Sequence, residues 1–173
     1  QKTYEPFTFN SRQSVLKGNI VGDGNLVLKV YYKRDRYKVK TNINNAKAGT
    51  VTKIDGTYKY GTEFTLNATI NAGYTFNGWY QGETLAIVKT EYKFIVEKDI
   101  TLTAQCEANT DTEYKVEYYQ QNLEDDDYSL YEAFELKGTT DTTAFAEQKF
   151  YEHFTLDFDK SNFEGNIAVD GTL

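Results

Sequence analysis

The most reactive-looking side chains in this sequence are a run of four acidic residues, a lone cysteine and a lone histidine. Clustered carboxylates can bind a hard cation such as Ca²⁺, and Glu124–Asp127 is such a cluster. The run lacks the ligand spacing of a calcium-binding loop and the glycine that such a loop needs. We therefore interpret it as a solvated loop, and we predict neither a metal site nor a cofactor.

Cys106 and His153 are each the only residue of their type, and neither predicts nucleophilic catalysis. A catalytic thiol needs a nearby base, whereas Cys106 falls on the apolar phase of the alternating run Ile100–Cys106, where a thiol behaves as a small hydrophobic side chain. Carboxylate pairs of the kind that hydrolyse glycosides have no fixed sequence spacing, so that alternative stays open. Because the sequence contains no recognisable catalytic pattern, we predict that the chain is not an enzyme.

Aromatic side chains are the other candidate binding groups, and they make up 16% of the residues. The box GYTFNGWY at residues 73–80 could stack its rings on a sugar. Packing explains the same box, because alternation places Tyr74 and Trp79 on opposite faces and Gly78 permits a bulge that turns the indole inward. We predict Trp79 to be a core residue and keep sugar stacking as the alternative. The candidate ligand-binding residues are Tyr74, Trp79, Tyr80, Tyr118 and Tyr119.

An internal repeat organises the elements that carry these residues. Residues 1–26 align without a gap with residues 148–173, and 13 of the 26 positions are identical. We therefore expect the chain to begin and end inside a repeat unit of a longer protein. The identical pairs include Tyr4 and Tyr151, Phe7 and Phe154, Gly18 and Gly165, Ile20 and Ile167, and Gly24 and Gly171.

The repeat predicts three domains. Residues 1–36, here called the opening copy, are the C-terminal half of a module whose other appearance is residues 113–173, the closing copy, which lacks its last strand. That strand is Leu26–Lys33, where apolar residues alternate. Residues 37–108, the central module, form a complete module of a different kind.

Alternation also predicts the strands of the central module, and charge predicts how it is joined to its neighbours. The polar segment 107–113 suits a short linker. The charged joint 33–36 contains no glycine, which favours stiff coupling. The predicted strands are residues 37–43, 63–70, 92–97 and 99–106.

The stretch GTYKYGTEFTLNATINAGYTFNGWYQGE, followed by YKFIVEKDITLTAQC, resembles the divergent branch of the internalin-type B repeats of bacterial surface proteins over residues 48–106. The segments YKVEYYQQN and GDGNLVLKVYYKRD of the two copies resemble repeats related to mucin-binding-protein domains of bacterial cell surfaces. These resemblances imply a mainly β chain of tandem β-grasp or ubiquitin-like modules, with room for a short helix in the repeated module. The shared B-repeat features are Gly61, Thr62, Ala68, Gly73, Tyr74, Phe76, Gly78, Trp79, Tyr80, Asp99, Ile100, Thr101, Leu102 and Ala104.

The resemblances imply a non-enzymatic segment of an extracellular protein on the bacterial surface, which acts as the stalk or spacer of an adhesin. Neighbouring repeats of the same protein would be its partners. The alternative is an adhesive module that binds a host or mucosal glycan or a protein through exposed tyrosines. A net charge of −7 argues against a nucleic-acid partner. Unpaired strand edges recruit strands, so exchange between copies through Leu26–Lys33 is a further expectation.

Overall fold

The structure, a computed structural model, describes residues 2–168, and those residues are mainly β. The predicted fold class is confirmed to that extent. Among the described residues, the one helical element is a 3-10 turn, Ala46–Ala48, in the central module, so the helix allowed in the repeated module is not found there. None of those residues form a helix long and apolar enough to cross a membrane. The strands are β1 Phe7–Phe9, β2 Tyr32–Arg34, β3 Arg36–Ile43, β4 Gly49–Val51, β5 Gly56–Lys59, β6 Glu63–Ile70, β7 Tyr74–Gln81, β8 Thr84–Ile87, β9 Glu91–Ile95, β10 Ile100–Ala108, β11 Thr112–Gln121, β12 Tyr128–Gly138, β13 Thr143–Phe145 and β14 Glu164–Asn166.

The strands form five sheets among the described residues. The central module has a five-stranded sheet of order β5-β3-β10-β7-β8 and a three-stranded sheet of order β4-β6-β9. The copies contribute two-stranded sheets, namely β1-β2, β11-β12 and β13-β14. The four strands predicted for the central module are confirmed as β3, β6, β9 and β10, with ends that differ by at most a few residues.

Two compact units contain the chain. The first comprises Gln1–Asn42, Val51–Ala68 and Gly78–Ala104. Most of its buried residues come from alternate positions of the central-module strands, as expected for strands with one face turned to a core, and Val96 follows the end of β9. They are Val39, Thr41, Leu66, Ala68, Trp79, Val96, Leu102 and Ala104.

The second unit comprises Ile43–Thr50, Thr69–Asn77 and Gln105–Leu173. One of its clusters gathers Ala48, Tyr74 and Cys106, with Ile43, Ile70, Phe76 and Ala108 packed against it. The prediction that Cys106 is a buried apolar side chain is thereby confirmed, and burial raises the pKa of its thiol.

The two copies of the repeat share two local features. Each begins with a turn closed by a backbone hydrogen bond, and each continues to a serine whose hydroxyl donates to the carbonyl four residues earlier. Matched local structure at matched positions supports the alignment that the sequence suggested. The bonds are Phe7 N–H to Tyr4 O (2.6 Å) and Phe154 N–H to Tyr151 O (3.1 Å), then Ser14 Oγ to Asn10 O (2.8 Å) and Ser161 Oγ to Asp157 O (2.6 Å).

The predicted strand Leu26–Lys33 is mostly wrong for this chain. Only Tyr32–Arg34 forms a strand, β2, antiparallel to β1. The residues before Tyr32 face residues 10–15, which include a turn. The Asn10 N–H donates to the Tyr31 carbonyl (2.9 Å), and the Val15 N–H donates to the Lys29 carbonyl (2.8 Å). A strand needs a partner strand beside it along its whole length. The segment after Asn10 turns, so the residues before Tyr32 have no such partner in the described part of the chain, although their apolar residues alternate.

Candidate functional site

The joint between the central module and the closing copy, residues 109–111, is bonded on both sides. The Asn109 N–H donates to the carbonyl of Gly73 (2.8 Å), and its side-chain oxygen accepts from the Thr75 hydroxyl (2.7 Å). Its carbonyl accepts from the Thr140 N–H of the closing copy (2.9 Å). Asn109 therefore ties the end of the central module to the closing copy through three polar groups.

Tyr74 adds a side-chain contact at the same joint. This buried ring donates its hydroxyl to the Asp141 carboxylate, and Lys47 Nζ lies 3.6 Å from the same carboxylate. The hydrogen bond from Tyr74 lowers the pKa of Asp141, and Lys47 lowers it further. The same bond raises the pKa of Tyr74. The Asp141 carboxylate thus accepts a hydrogen bond from Tyr74 in β7 and forms an ion pair with Lys47 in the 3-10 turn.

Thr140 and Thr112 complete the closing-copy side of this joint. Their hydroxyls lie 2.6 Å apart, and Thr140 is buried. The residue that follows, Asp141, has a φ of 62°, a left-handed conformation that aspartate and asparagine tolerate better than most residues. The backbone is held in that shape by Asp141 N–H, which donates to Ile167 O (3.0 Å).

The joint between the opening copy and the central module, residues 33–36, is bonded in a similar way. Arg34 Nη1 donates to the Tyr60 carbonyl (3.0 Å), and the Tyr60 N–H donates to the Asp35 carbonyl (2.8 Å). The Phe7 ring lies edge-on to the Tyr60 ring at 6.2 Å. Tyr60 of the central module thus contacts Phe7 in β1, Arg34 in β2 and Asp35, which follows β2.

Trp79 occupies the interior, as packing predicted. Its side chain has no exposed surface, and its indole N–H donates to the Thr90 carbonyl (3.1 Å). Gly78 has a φ of 134°, and the pairing of β7 with β8 shifts register between Trp79 and Tyr80. The extra residue of this irregularity is Ala86 on β8, because Trp79 lies opposite Ile87 and Tyr80 opposite Leu85. The predicted bulge thus lies beside Gly78 in this strand pair rather than at Gly78, and Tyr80 is half-buried.

The five candidate ligand-binding residues are divided between the two units. Trp79 and Tyr80 lie in the first unit, and the other three lie in the second. Within the described part of that unit, no ring contact joins Tyr74 to Tyr118. Tyr119 is exposed and donates its hydroxyl to Glu117 Oε2 (2.7 Å).

Tyr118 belongs instead to an aromatic surface of the closing copy, which we define as Tyr118, Tyr131, Phe134 and Tyr151 together with Lys149 and Glu132. Lys149 Nζ lies 3.9 Å from the centre of the Phe134 ring and 4.6 Å from that of Tyr118. Cations are attracted to ring faces at such distances. Tyr131 and Phe134 are exposed, so the surface presents rings beside a cation to solvent.

Glu132 neutralises that cation. Its carboxylate accepts from Lys149 Nζ (2.8 Å) and from the Tyr151 hydroxyl. The hydrogen bond from Lys149, followed by that from Tyr151, lowers the pKa of Glu132. Burial, and then the bond to Glu132, raises the pKa of Tyr151. Such a surface can stack on a planar or ring-shaped ligand while its charged groups hold the rings in place.

The acidic run forms the hydrogen-bonded loop between β11 and β12. Asp125 Oδ1 accepts from Asn122 Nδ2 (2.7 Å) and from the Asp127 N–H (2.9 Å). All four acidic residues are exposed, which confirms the interpretation as a solvated loop. His153 is also exposed and has a φ of 72° in its turn.

Sequence reasoning missed Asn109, Asp141 and Lys149. Tyr74 and Asp141 are 67 residues apart, and no local pattern links them. Lys149 carried a usable signal, because it and Tyr151 recur in the opening copy as Lys2 and Tyr4.

Residues 39–110 match the family model of the divergent InlB B-repeat domain. The match covers a little under half of the chain and contains the segment 48–106 that the sequence resemblance identified, so that part of the prediction is confirmed. InlB-type B repeats are found in surface proteins, and the match indicates a bacterial surface repeat protein. No curated protein and no solved structure matches the chain.

Proposed function

We propose, from the divergent InlB B-repeat within it, that the chain is a non-enzymatic spacer of an extracellular bacterial surface protein, part of the stalk of an adhesin. In this role neighbouring modules hold one another in a fixed orientation and keep a more distal binding domain away from the cell. The opening and closing copies belong, on this proposal, to the mucin-binding-like repeats that they resemble.

Asn109 is the observation that carries the proposal. A flexible linker leaves its backbone groups to water, whereas Asn109 bonds to Gly73 and Thr75 on one side and to Thr140 on the other. Tyr74 and Asp141 reinforce the same joint. Hydrogen bonds typically stabilise by about 0.5–1.5 kcal/mol each, so several together favour a single orientation.

Small-angle scattering tests the spacer role. We expect an elongated particle, and the Asn109→Gly variant should widen its distance distribution because glycine removes the side-chain bond and frees the backbone. Asn122→Gly, the same change in the β11-β12 loop, is the matched control and should leave the distribution unchanged. A compact globule, or identical curves for both variants, would contradict the proposal.

The aromatic surface favours a second function, in which the closing copy itself binds a host or mucosal glycan or a protein. Tyr131 and Phe134 expose their rings beside Lys149, and rings with a polar partner are common in ligand contacts. A glycan array probed with the chain and with its Tyr131→Ala and Tyr119→Ala variants tests it. Binding that is lost with Tyr131→Ala supports adhesion, and an array without signal counts against it.

A further inference from the structure

The basic residues of this chain are unevenly distributed along the sequence. Residues 33–59 contain eight of the 19 lysines and arginines but only two of the 26 aspartates and glutamates. This segment therefore carries a net charge of +6, although the net charge of the whole chain is −7. Solubility requires only a net charge away from zero, so it does not explain why the positive charge is concentrated in one segment. A concentrated positive surface attracts anionic molecules.

One face of the five-stranded sheet gathers four of these charges. Arg36, Lys38 and Lys40 are alternate residues of β3, so their side chains leave the sheet on the same side, about 6.5 Å apart along the strand. Lys59 of β5 lies directly opposite Arg36 in the antiparallel pair and adds a fourth charge to that side. All four residues are exposed. We call these four side chains the basic face.

The other side of the same strands is the core side. Val39, between Lys38 and Lys40, is fully buried. The Tyr58 ring, which precedes Lys59, packs edge-on against Phe64 at 4.7 Å. The basic face is therefore the solvent side of the sheet, and its side chains are not needed to fill the core.

Arg36 and Lys59 form a like-charged pair across two strands. Like charges directly opposite one another destabilise an antiparallel pair, and Arg36 Nη1 donates only to a neutral group, the Thr57 carbonyl (3.3 Å). Fold stability alone would favour a carboxylate at one of the two positions. The pair of Lys115 and Glu135 (3.5 Å), which lie opposite each other in β11 and β12, shows that arrangement. The like-charged pair therefore indicates that the positive charge serves a contact with another molecule.

Two carboxylates beside β3 bond to its backbone and not to its lysines. Asp99 accepts from the Lys38 N–H (2.7 Å), and Asp55 accepts from the Thr41 N–H (2.8 Å). Within residues 2–168, no side chain of the basic face forms an ion pair, whereas the ion pairs that do form there lie elsewhere. The four charges are thus available to an anion from solution.

The uncharged residues beside the basic face show which kind of anion it suits. Asn42, Thr57 and Thr101 are exposed on the same side of β3, β5 and β10, and their amide and hydroxyl groups can donate to and accept from sugar hydroxyls. Among the described residues of these three strands, no aromatic ring lies on this side. Single-stranded nucleic acids bind to rings on which their bases stack, and protein partners usually bind to aromatic or apolar anchors. A polysaccharide needs neither.

We propose that the basic face binds a linear acidic polysaccharide that runs along β3. Its sulfate or carboxylate groups pair with Lys38 and Lys40, and the guanidinium of Arg36 presents the planar fork that suits such oxyanions. The sugar hydroxyls bond to the threonine and asparagine side chains on the same side. This site shares no residue with the aromatic surface of the closing copy, and it goes beyond the spacer role without depending on it.

Heparin oligosaccharides of defined length test the proposal against the whole chain by isothermal titration calorimetry. We expect saturable binding that weakens as the salt concentration rises, because salt screens contacts between exposed charges. Neutral dextran of the same length should not bind. An absence of heparin binding at low salt, or equal binding of dextran, would overturn the proposal.

Matched lysine variants locate the site. The double variant Lys38→Gln and Lys40→Gln should bind heparin about tenfold more weakly, the loss expected for two exposed ion pairs. The control, Lys115→Gln and Lys137→Gln, removes the same charge from lysines that already pair with glutamates, and its affinity should be unchanged. Equal losses would show that net charge alone attracts heparin. A loss with Tyr131→Ala would assign the binding to the aromatic surface, and either result would overturn the proposal.

Two other polyanions test the preference for a sugar chain. Polyglutamate and a single-stranded oligonucleotide, each with the same number of charges as the heparin fragment, are titrated at the same salt concentration. We expect heparin to bind more tightly than either, because hydrogen bonds to its hydroxyl groups add to the attraction between charges. If either polyanion binds as tightly as heparin, the basic face does not select a polysaccharide and the proposal fails.

Discussion

Ile20 and Ile167 are the same residue of the repeat in two environments. Ile20 is 90% exposed, whereas Ile167 is 3% exposed. A Cβ added at Gly138 would lie 2.3 Å from Ile167 Cδ1, so the isoleucine rests directly on the backbone of β12. No described strand of the opening copy packs on Ile20 in this way. Burial of Ile167 therefore depends on its contact with β12.

The pair yields a matched test of that dependence. Ile167→Ala should destabilise the closing copy by about 2–4 kcal/mol, since it leaves a cavity against Gly138. Ile20→Ala should change the stability by less than about 0.5 kcal/mol, as is usual for exposed positions. Urea unfolding followed by circular dichroism measures both. Equal losses for the two variants would show that Ile20 is also buried in solution.

The positive φ of Gly78 predicts a strong effect of a single methyl group. Gly78→Ala should destabilise the first unit by about 2 kcal/mol or more, because non-glycine residues at such positive φ are strained. The added Cβ would also lie 2.6 Å from Leu85 Cδ1 and 2.8 Å from the Ile87 carbonyl.

The fluorescence of Trp79, the sole tryptophan, reports on this change directly. Its emission should shift to longer wavelength if Gly78→Ala exposes the indole to water. Gly22→Ala is the control, since no atom lies within 4 Å of the added Cβ. An unshifted emission with unchanged stability would mean that the glycine conformation at this position is not needed to bury the indole.

Local pattern and self-similarity predicted the parts of this fold that depend on neighbouring residues. Alternation predicted the β6 and β10 strands and the burial of Cys106, and the packing of the box at residues 73–80 predicted that Trp79 is a core residue. Local pattern could not predict the joints, because Asn109 and Asp141 bond to residues that are distant in sequence. The strand at Leu26–Lys33 was wrong in this chain for a related reason. Its sequence is that of a strand, but a strand also needs a partner of matching length.

Tyr151 predicts a loss of stability in alkaline solution. Burial raises its pKa in the folded state, so the folded chain holds the proton more tightly than the unfolded chain does. This contribution is fully present below the ordinary tyrosine pKa of about 10 and is lost as the pH rises above it. Tyr151→Phe should remove that part of the alkaline loss, as measured by unfolding at a series of pH values.

Glu132→Gln separates the causes of the Tyr151 shift. The carboxylate of Glu132 raises the pKa of Tyr151 through its hydrogen bond and its charge, so the neutral amide should lower that pKa toward the ordinary value. Spectrophotometric titration of the tyrosines measures the change. A Tyr151 titration identical in both chains would show that burial alone produces the shift.

Asp141 predicts the opposite pH dependence at the joint. The hydrogen bond from Tyr74 lowers the pKa of Asp141 in the folded chain. Its contribution to stability is therefore present above the unfolded pKa of about 3.9 and is lost as the pH falls through the lower folded value. Asp141→Asn should flatten this part of the acid profile, and asparagine suits the positive φ of the position.

Tyr74→Phe shows whether the acid effect belongs to this hydrogen bond. It removes the donor and leaves the buried ring in place, so the acid profile should flatten as it does in Asp141→Asn. Because the two residues share one interaction, the double variant should lose less stability than the two single losses added together. Additive losses would mean that Asp141 acts mainly through Lys47, whose Nζ lies 3.6 Å from its carboxylate. The joint would then weaken with added salt, since exposed ion pairs are screened, whereas a joint held by the Tyr74 hydroxyl should resist salt.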